Sequence, residues 1–285
     1  MPKAVYIHAG AHRTGTSSFQ MCLDLNRGAL ATAGYDTAYP GRDGIPGGNL
    51  RLKLKDAGAA ARVLAGHSTL PDRALIVSEE NIPGRMFPFY RGRFYPAAES
   101  RLRVLRSALA TLGVDRPRRM VLVLRSYDAL FTSAYRKRAE DNAVAPFHEV
   151  SANFMAMDRG WPALVRAFQK IIMPHEFVVI SYTKRGRSVD LLNRLVPDLS
   201  MPLREPERAL NLSATDAALE ALQARYRAGE TLTRAQWQAV IADHADAQAP
   251  TGFASLQDGD IALLRARYEQ HLDKISQFRG ITFLR

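Results

Sequence analysis

Four short apolar runs, separated by stretches of helical character, limit what this chain can fold into more than any other feature. They cover residues 4–8, 74–78, 120–124 and 176–182, and we predict a buried strand at each. Strands that alternate with helices pair in parallel and are covered by helices on both faces. The sequence therefore predicts an α/β fold in three layers, with a parallel sheet flanked by helices.

The spacing of apolar residues predicts helices between and after these strands. They cover residues 16–33, 50–65, 99–113, 127–141, 147–156, 160–172 and 188–196, with turns over 35–50 and an irregular loop over 85–95. Beyond residue 210 the strand signal stops, and segments 213–228, 233–247 and 256–278 read as helical. Prolines at 197, 202 and 206 mark a boundary. We expect an α/β core at 1–205 and an α-helical C-terminal extension at 206–285 packed on it.

The charge balance favours anionic partners. The chain carries 39 Lys and Arg against 28 Asp and Glu, a formal net charge of +11, which suits nucleotides, phosphorylated or sulfated small molecules, nucleic acid or an acidic membrane surface. The lone Cys22 excludes an internal disulfide and a cysteine-based zinc site. The first ten residues have no long apolar core, so we expect no signal peptide, and no run of about 18 apolar residues is present. We therefore expect a cytoplasmic protein without a transmembrane segment.

The segment between the first strand and the first helix has the composition of an anion-binding loop. HAGAHRTGTSS, residues 8–18, combines two glycines with four hydroxyl side chains and one arginine. Glycines let the backbone curl so that several N–H groups converge on an anion at the positive end of the helix dipole. The spacing from Gly10 to Ser17 is that of a Walker A loop, but Thr16 stands at the lysine position. An ordinary nucleoside triphosphatase is therefore disfavoured.

This loop resembles the 5′-phosphosulfate loop of the sulfotransferases that use PAPS (3′-phosphoadenosine 5′-phosphosulfate). Bacterial members often carry His-Lys-Thr-Gly-Thr-Ser-Ser, and this chain has His12-Arg13-Thr14-Gly15-Thr16-Ser17-Ser18. The resemblance implies a P-loop-like fold, PAPS as co-substrate, and binding of PAPS by these seven residues. Arg13 replaces the family's usual lysine. Because arginine neutralises charge but does not readily donate a proton, we expect Arg13 to stabilise the leaving phosphate electrostatically.

A second match lies at the end of the third predicted strand. Arg125 follows the apolar run 120–124, and Ser133 lies about two turns into the next predicted helix. Ligands of parallel sheets bind outside the carboxyl ends of the strands, so Arg125 lies in the same layer as the first loop. The pattern resembles the family's 3′-phosphate motif, which implies that Arg125 and Ser133 bind the 3′-phosphate of PAPS. The alternatives are an arginine paired with a surface carboxylate and a hydroxyl on a helix face.

The second predicted strand ends in two carboxylates, Glu79 and Glu80. A carboxylate facing the ligand can accept a proton from an acceptor hydroxyl or amine. Bacterial members of the family have a Ser-Glu-Asn ending at a similar place, which implies Glu80 as the base and Glu79 as the second choice. Either carboxylate can instead pair with an arginine. The further candidates are four histidines, His8, His12, His148 and His175, each more readily explained by a structural or ligand-contacting role.

Segments rich in arginine and aromatic residues are candidates for the acceptor side. Residues 85–95 hold five aromatics and three arginines, which suit a flat or anionic acceptor, single-stranded nucleic acid, or simple packing on the core. Residues 135–138 contact nucleotide or acceptor, or form a solvated face. The basic segment 184–187 weakly resembles one that closes on the 3′-phosphate in some family members.

These observations lead to an expected function. The chain is expected to be a sulfotransferase that moves a sulfuryl group from PAPS to a hydroxyl or amine and releases 3′,5′-ADP. We expect a small-molecule, saccharide or lipid acceptor, no nucleic-acid partner and no metal, since the sequence has no spaced cluster of metal ligands. The alternatives are a P-loop kinase of a small metabolite and a non-catalytic nucleotide- or nucleic-acid-binding module. The sequence names neither the acceptor nor the oligomeric state.

Overall fold

A computed structural model describes residues 2–42, 44–207 and 213–285. Six strands within these residues form one all-parallel sheet. They are β1 (Val5–His8), β2 (Tyr35–Ala38), β3 (Ala74–Ser78), β4 (Arg119–Leu124), β5 (Glu176–Ser181) and β6 (Thr282–Leu284). Their order in the sheet is β2-β3-β1-β4-β5-β6. The predicted α/β fold with a helix-flanked parallel sheet is confirmed.

The helices of the described residues follow the predicted order along the chain. They are α1 (Thr16–Leu25), α2 (Arg27–Thr32), α3 (Ala57–Ala65), α4 (Ala98–Thr111), α5 (Tyr127–Ala139), α6 (Phe147–Met155), α7 (Trp161–Ile171), α8 (Ser188–Leu195), α9 (Asp216–Arg227), α10 (Arg234–Asp243) and α11 (Asp258–Ser276). Short 3₁₀ helices lie at Phe87–Arg91 and Tyr182–Lys184. None of these helices is both long and apolar enough to cross a membrane.

Both faces of the sheet are covered by a hydrophobic core. Successive residues of β1 point to opposite faces, so Val5 and Ile7 lie in one core, while Tyr6 lies in the other. The first core takes in buried side chains of α3, α4, α5, α7 and α11, and the second takes in those of α1, α2 and α8. Strands buried on both sides explain why the apolar runs of the sequence are continuous rather than alternating.

The topology places a crevice at the carboxyl end of β1. From β1 the chain crosses to β2 on one side of the sheet, and from β3 it crosses back to β4 on the other side. His8 lies in register with Ser78 of β3 and Val121 of β4, so the carboxyl ends of β1 and β3 lie side by side next to β4. Ligands of such sheets bind where the strand order reverses. The loops that follow β1, β3 and β4 therefore meet at one place.

The structure corrects several elements expected from the sequence. β2 lies in the segment predicted as turns. Its apolar pattern was weak because it contains Asp36, a buried carboxylate whose Oδ1 lies 2.9 Å from Nε of Arg73. The predicted helix 16–33 is two helices, α1 and α2, with Asn26 between them. The Asn26 side chain donates to the carbonyl oxygens of Cys22 (2.7 Å) and Arg204 (2.8 Å). The irregular loop 85–95 contains a 3₁₀ helix.

The C-terminal region is not helical throughout. The expectation of no strand after residue 210 is wrong at β6, which pairs with β5 and adds the last strand of the sheet. Its three residues are too short to give a periodic pattern. α11 packs against α5 and α7, and Tyr268 of α11 donates to the carbonyl oxygen of Leu124 over 3.1 Å. Residues 208–212, near the expected boundary, lie outside the described residues.

Candidate active site

A concave cavity of about 610 Å³ lies at the carboxyl ends of the strands. The sequence assigned ten residues to PAPS binding or to the base, and nine of them line this cavity. They are His12, Arg13, Gly15, Thr16, Ser17, Ser18, Glu80, Arg125 and Ser133. The remaining one, Thr14, is buried, and its hydroxyl donates to the carbonyl oxygen of Ala11 over 2.6 Å. Two separate sequence motifs and a strand-end carboxylate thus share one cavity.

The loop after β1 depends on glycine at two positions. Gly15 immediately precedes α1 and has φ of 82°, in the left-handed region that favours glycine. Gly10 has φ of 79°, and a Cβ there would lie 2.7 Å from the Cα of Glu80. The close approach of Gly10 holds the loop against the end of β3. Gly15 at the N-cap position of α1 makes no side-chain hydrogen bond to the helix, and the N-terminus of a helix attracts anions.

Arg13 connects the two motifs. Its Nε donates to the Oγ of Ser133 over 2.7 Å, and its carbonyl oxygen accepts from Nη1 of Arg125 over 2.7 Å. Arg13 itself has φ of 61°, a conformation that is uncommon for a non-glycine residue. Burial lowers the pKa of its guanidinium, yet an arginine stays protonated in proteins. The cavity therefore keeps a fixed positive charge beside Ser133.

Arg125 is held by the core beneath it. Its carbonyl oxygen accepts from the indole Nε1 of Trp161 over 2.9 Å, and its guanidinium carbon lies 5.1 Å from the ring centroid of Tyr182. Its buried Nε has no hydrogen-bond partner among the described residues. A buried donor without a protein acceptor fits an anionic ligand in the cavity.

The two glutamates after β3 have different environments. Glu80 lines the cavity, and its Oε1 lies 3.4 Å from Nη2 of Arg42. Glu79 is buried, and its Oε1 accepts from the backbone N–H (2.8 Å) and Nδ2 (2.9 Å) of Asn81. Burial raises the pKa of Glu79. Glu80 is thus the carboxylate placed to meet a ligand, and Glu79 holds the turn after β3.

His12 is fixed by hydrogen bonds on both ring nitrogens. Its Nδ1 lies 3.0 Å from the hydroxyl of Tyr95, and its Nε2 lies 3.2 Å from Oδ1 of Asn81. Because the amide oxygen only accepts, Nε2 carries the proton of the neutral ring. Burial lowers the pKa of His12. His12 therefore links the loop after β1 to the turn after β3, and both of its ring nitrogens are engaged.

The other candidate histidines do not line the cavity. His8 is buried, with Nδ1 2.9 Å from the hydroxyl of Ser78. His148 and His175 are exposed and do not line the cavity.

The arginine- and aromatic-rich segments divide between core and cavity. Phe89, Phe94 and Tyr95 are buried in an aromatic cluster, as the packing alternative expected. Four other residues of the segment line the cavity: Arg85, Met86, Phe87 and Tyr90. From α5, Lys137 and Arg138 also line it, and the Arg138 guanidinium carbon lies 4.1 Å from the ring centroid of Phe87.

Sequence reasoning missed Arg42 and Asn81 and gave Arg185 little weight. Arg42 stands in a glycine-rich turn with no motif around it. Asn81 follows Glu80 and matches the asparagine of the family's Ser-Glu-Asn ending, and its side chain joins Glu79 to His12. Arg185 donates from Nη2 to the carbonyl oxygen of Gly15 over 3.1 Å, so the basic segment 184–187 contacts the loop after β1. Its expected role at a 3′-phosphate stays a prediction.

Comparison with models of protein families and with curated proteins gives no match for this chain. In the described part of the chain, no group of three or more His, Cys, Asp or Glu side chains is arranged to hold a metal ion.

Proposed function

We propose that this chain is a PAPS-dependent sulfotransferase with a P-loop-like fold. The observation that carries the proposal is the contact between Arg13, Ser133 and Arg125 on the wall of one cavity. These residues come from the two motifs that resemble, separately, the 5′-phosphosulfate loop and the 3′-phosphate site of that family. Two unrelated chance matches would not be expected to converge on each other.

The residues present suit PAPS as a substrate. The N-terminus of α1 and the glycine-bearing loop at Gly15 suit the binding of the phosphosulfate. Arg13 neutralises charge there, and Arg125 has a buried N–H without a described acceptor that suits the 3′-phosphate. A cavity of about 610 Å³ falls in the range of small-molecule sites, roughly 300–1,000 Å³.

The proposed reaction is an in-line sulfuryl transfer. The acceptor hydroxyl or amine forms a bond to sulfur as the bond between sulfur and the bridging phosphate oxygen breaks. Glu80 takes the acceptor's proton, and the leaving electron pair stays on the 5′-phosphate of 3′,5′-ADP. Arg13 and the N-terminus of α1 stabilise the charge that develops on that phosphate.

The alternatives fit the cavity less well. A P-loop kinase needs a lysine near the β- and γ-phosphates, and Thr16 at that position turns its hydroxyl to the carbonyl oxygen of Ala11 at 3.2 Å. A nucleic-acid module would present an extended basic groove, whereas this chain has a concave cavity that six cationic side chains line: Arg13, Arg42, Arg85, Arg125, Lys137 and Arg138. The acceptor remains a small molecule, a saccharide or a lipid.

A thermal-shift panel tests the proposal against both alternatives. At about 100-fold excess over Kd, 3′,5′-ADP should raise Tm by about 5 °C or more. ATP with Mg²⁺ and a single-stranded oligonucleotide should raise it less at equal concentration. A larger shift with ATP and Mg²⁺ would favour the kinase, and a salt-sensitive shift with the oligonucleotide alone would favour the binding module.

A further inference from the structure

Arg42 joins the donor side of the cavity to the candidate base. Its Nη1 donates to the hydroxyl of Ser17 in the first turn of α1 over 2.6 Å, and its Nη2 lies 3.4 Å from Oε1 of Glu80. Both members of the Arg42–Glu80 pair are about one-fifth exposed, with side-chain values of 21% and 20%. The guanidinium therefore spans the space between the helix N-terminus and the carboxylate.

The turn that carries Arg42 is closely packed. The backbone N–H of Ile45 donates to the carbonyl oxygen of Arg42 over 2.9 Å. The backbone N–H of Leu50 donates to the carbonyl oxygen of Tyr39 over 3.0 Å. A Cβ on Gly41 would lie 2.1 Å from the carbonyl oxygen of Gly48, so this approach requires glycine. The turn follows β2, which lies next to β3 in the sheet. Arg42 is thus presented from a defined position over the ends of the strands.

We infer that Arg42 binds the sulfuryl group during transfer and releases Glu80 when it does so. The inference rests on the proposed function. If phosphosulfate lies at the N-terminus of α1 and Glu80 takes the acceptor's proton, sulfur moves from the Ser17 side of the cavity toward Glu80. Arg42 already contacts both ends of that path, and its forked N–H groups match two oxygens of a sulfuryl group.

The existing contact with Glu80 is one that a ligand can displace. A partly exposed ion pair of this kind contributes little to stability, and 3.4 Å is long for a charge-assisted hydrogen bond. The sulfuryl oxygens carry negative charge throughout the transfer, so they compete with the carboxylate for the same N–H groups. Glu80 would then be unpaired only when the donor is bound, and the acceptor's proton passes to it as the new bond to sulfur forms.

Ligands that differ only in the sulfuryl group test this inference. Arg42→Ala should weaken binding of PAPS, measured without acceptor, by about tenfold or more. Binding of 3′,5′-ADP, which lacks the sulfuryl group, should change less than about twofold. Arg42→Lys keeps the positive charge but loses the forked N–H groups, so its affinity for PAPS should lie between those of the wild type and Arg42→Ala. Arg51→Ala removes an exposed arginine outside the cavity and should leave the ratio of the two affinities unchanged.

A second variant tests whether the sulfuryl group and Glu80 compete for Arg42. Glu80→Gln removes the competing carboxylate charge, so it should tighten PAPS binding about twofold or more and leave 3′,5′-ADP binding unchanged. Equal losses for both nucleotides in a folded Arg42→Ala variant, or no loss for PAPS, would overturn the inference while the proposed function stands. If the wild type binds neither nucleotide, the proposed function fails and the role of Arg42 fails with it.

Discussion

Arg13 Nε lies 2.7 Å from Ser133 Oγ, although 120 positions separate the two residues in the sequence. The contact joins the loop after β1 to the second turn of α5. The same loop is tied to the end of β4 through Arg125. The groups proposed for the two phosphate-bearing ends of PAPS therefore form one connected unit.

Ser133→Ala should weaken nucleotide binding by Arg13 as well as by Ser133 itself. Loss of the hydroxyl removes a hydrogen bond to a charged group, so 3′,5′-ADP affinity should fall about tenfold. In a double-mutant cycle with Arg13→Ala, the coupling energy should reach about 0.5–3 kcal/mol. Titration calorimetry on the four proteins measures it. Thr132→Ala, on the same helix but outside the cavity lining, should leave affinity unchanged, and strict additivity would contradict the connected unit.

Arg13 should matter more for turnover than for folding. Arg13→Ala removes the cation beside the leaving phosphate and should lower turnover with PAPS about 100-fold or more. Arg13→Lys should retain substantial activity, because lysine is the residue that the family resemblance leads one to expect. Sulfate transfer to an accepted hydroxyl compound measures both. A lysine variant as inactive as the alanine variant would show that the guanidinium group, with its Nε hydrogen bond to Ser133, is the essential feature.

Glu80 and Glu79 should respond differently to loss of charge. Glu80→Gln should lower turnover about 10²–10⁴-fold while 3′,5′-ADP binding stays nearly unchanged. Glu79→Gln keeps an oxygen acceptor for Asn81 and should change turnover by less than about threefold. Steady-state kinetics on the matched pair decide the roles. A reversed order would assign the base to Glu79, and two active variants would place it elsewhere.

His8 should make the fold sensitive to acid. Burial lowers the pKa of His8 from 6.5 to about 3, so below pH 6.5 the unfolded chain takes up a proton that the folded chain does not. This group's contribution to stability is present above pH 6.5 and falls by about 1.4 kcal/mol per pH unit as the pH drops toward 3. In His8→Gln, the loss of unfolding free energy between pH 7 and pH 5 should be smaller by about 2 kcal/mol.

Urea unfolding at the two pH values measures this difference. His175→Gln, at an exposed histidine, should keep the wild-type pH dependence. Identical pH dependence in wild type and His8→Gln would contradict the assignment.

The sheet was predictable where strands are buried on both sides. β1, β3, β4 and β5 appear in the sequence as continuous apolar runs because helices cover both faces of each. β2 and β6 lie at the two edges of the sheet. Asp36 interrupts the pattern of β2, and the three residues of β6 are too few to form one.

The site was predictable only where residues are grouped in sequence. The loop at 12–18 and the Arg125–Ser133 spacing carry their own signals, and the cavity brings them together. Arg42 gave no such signal, because its role depends on the turn after β2 lying over the end of β3. Contacts that arise from strand order cannot be derived from local residue patterns.

Nucleotide selectivity tests the central claim most directly. Titration calorimetry of 3′,5′-ADP and 5′-AMP into the wild type compares ligands that differ in the 3′-phosphate alone. A phosphate accepting charge-assisted bonds from Arg125 gains roughly 1.5–3 kcal/mol per bond, so 3′,5′-ADP should bind about tenfold tighter or more. Arg125→Ala should remove most of that difference. Equal affinities of the two nucleotides for the wild type would contradict the assignment of PAPS as the co-substrate.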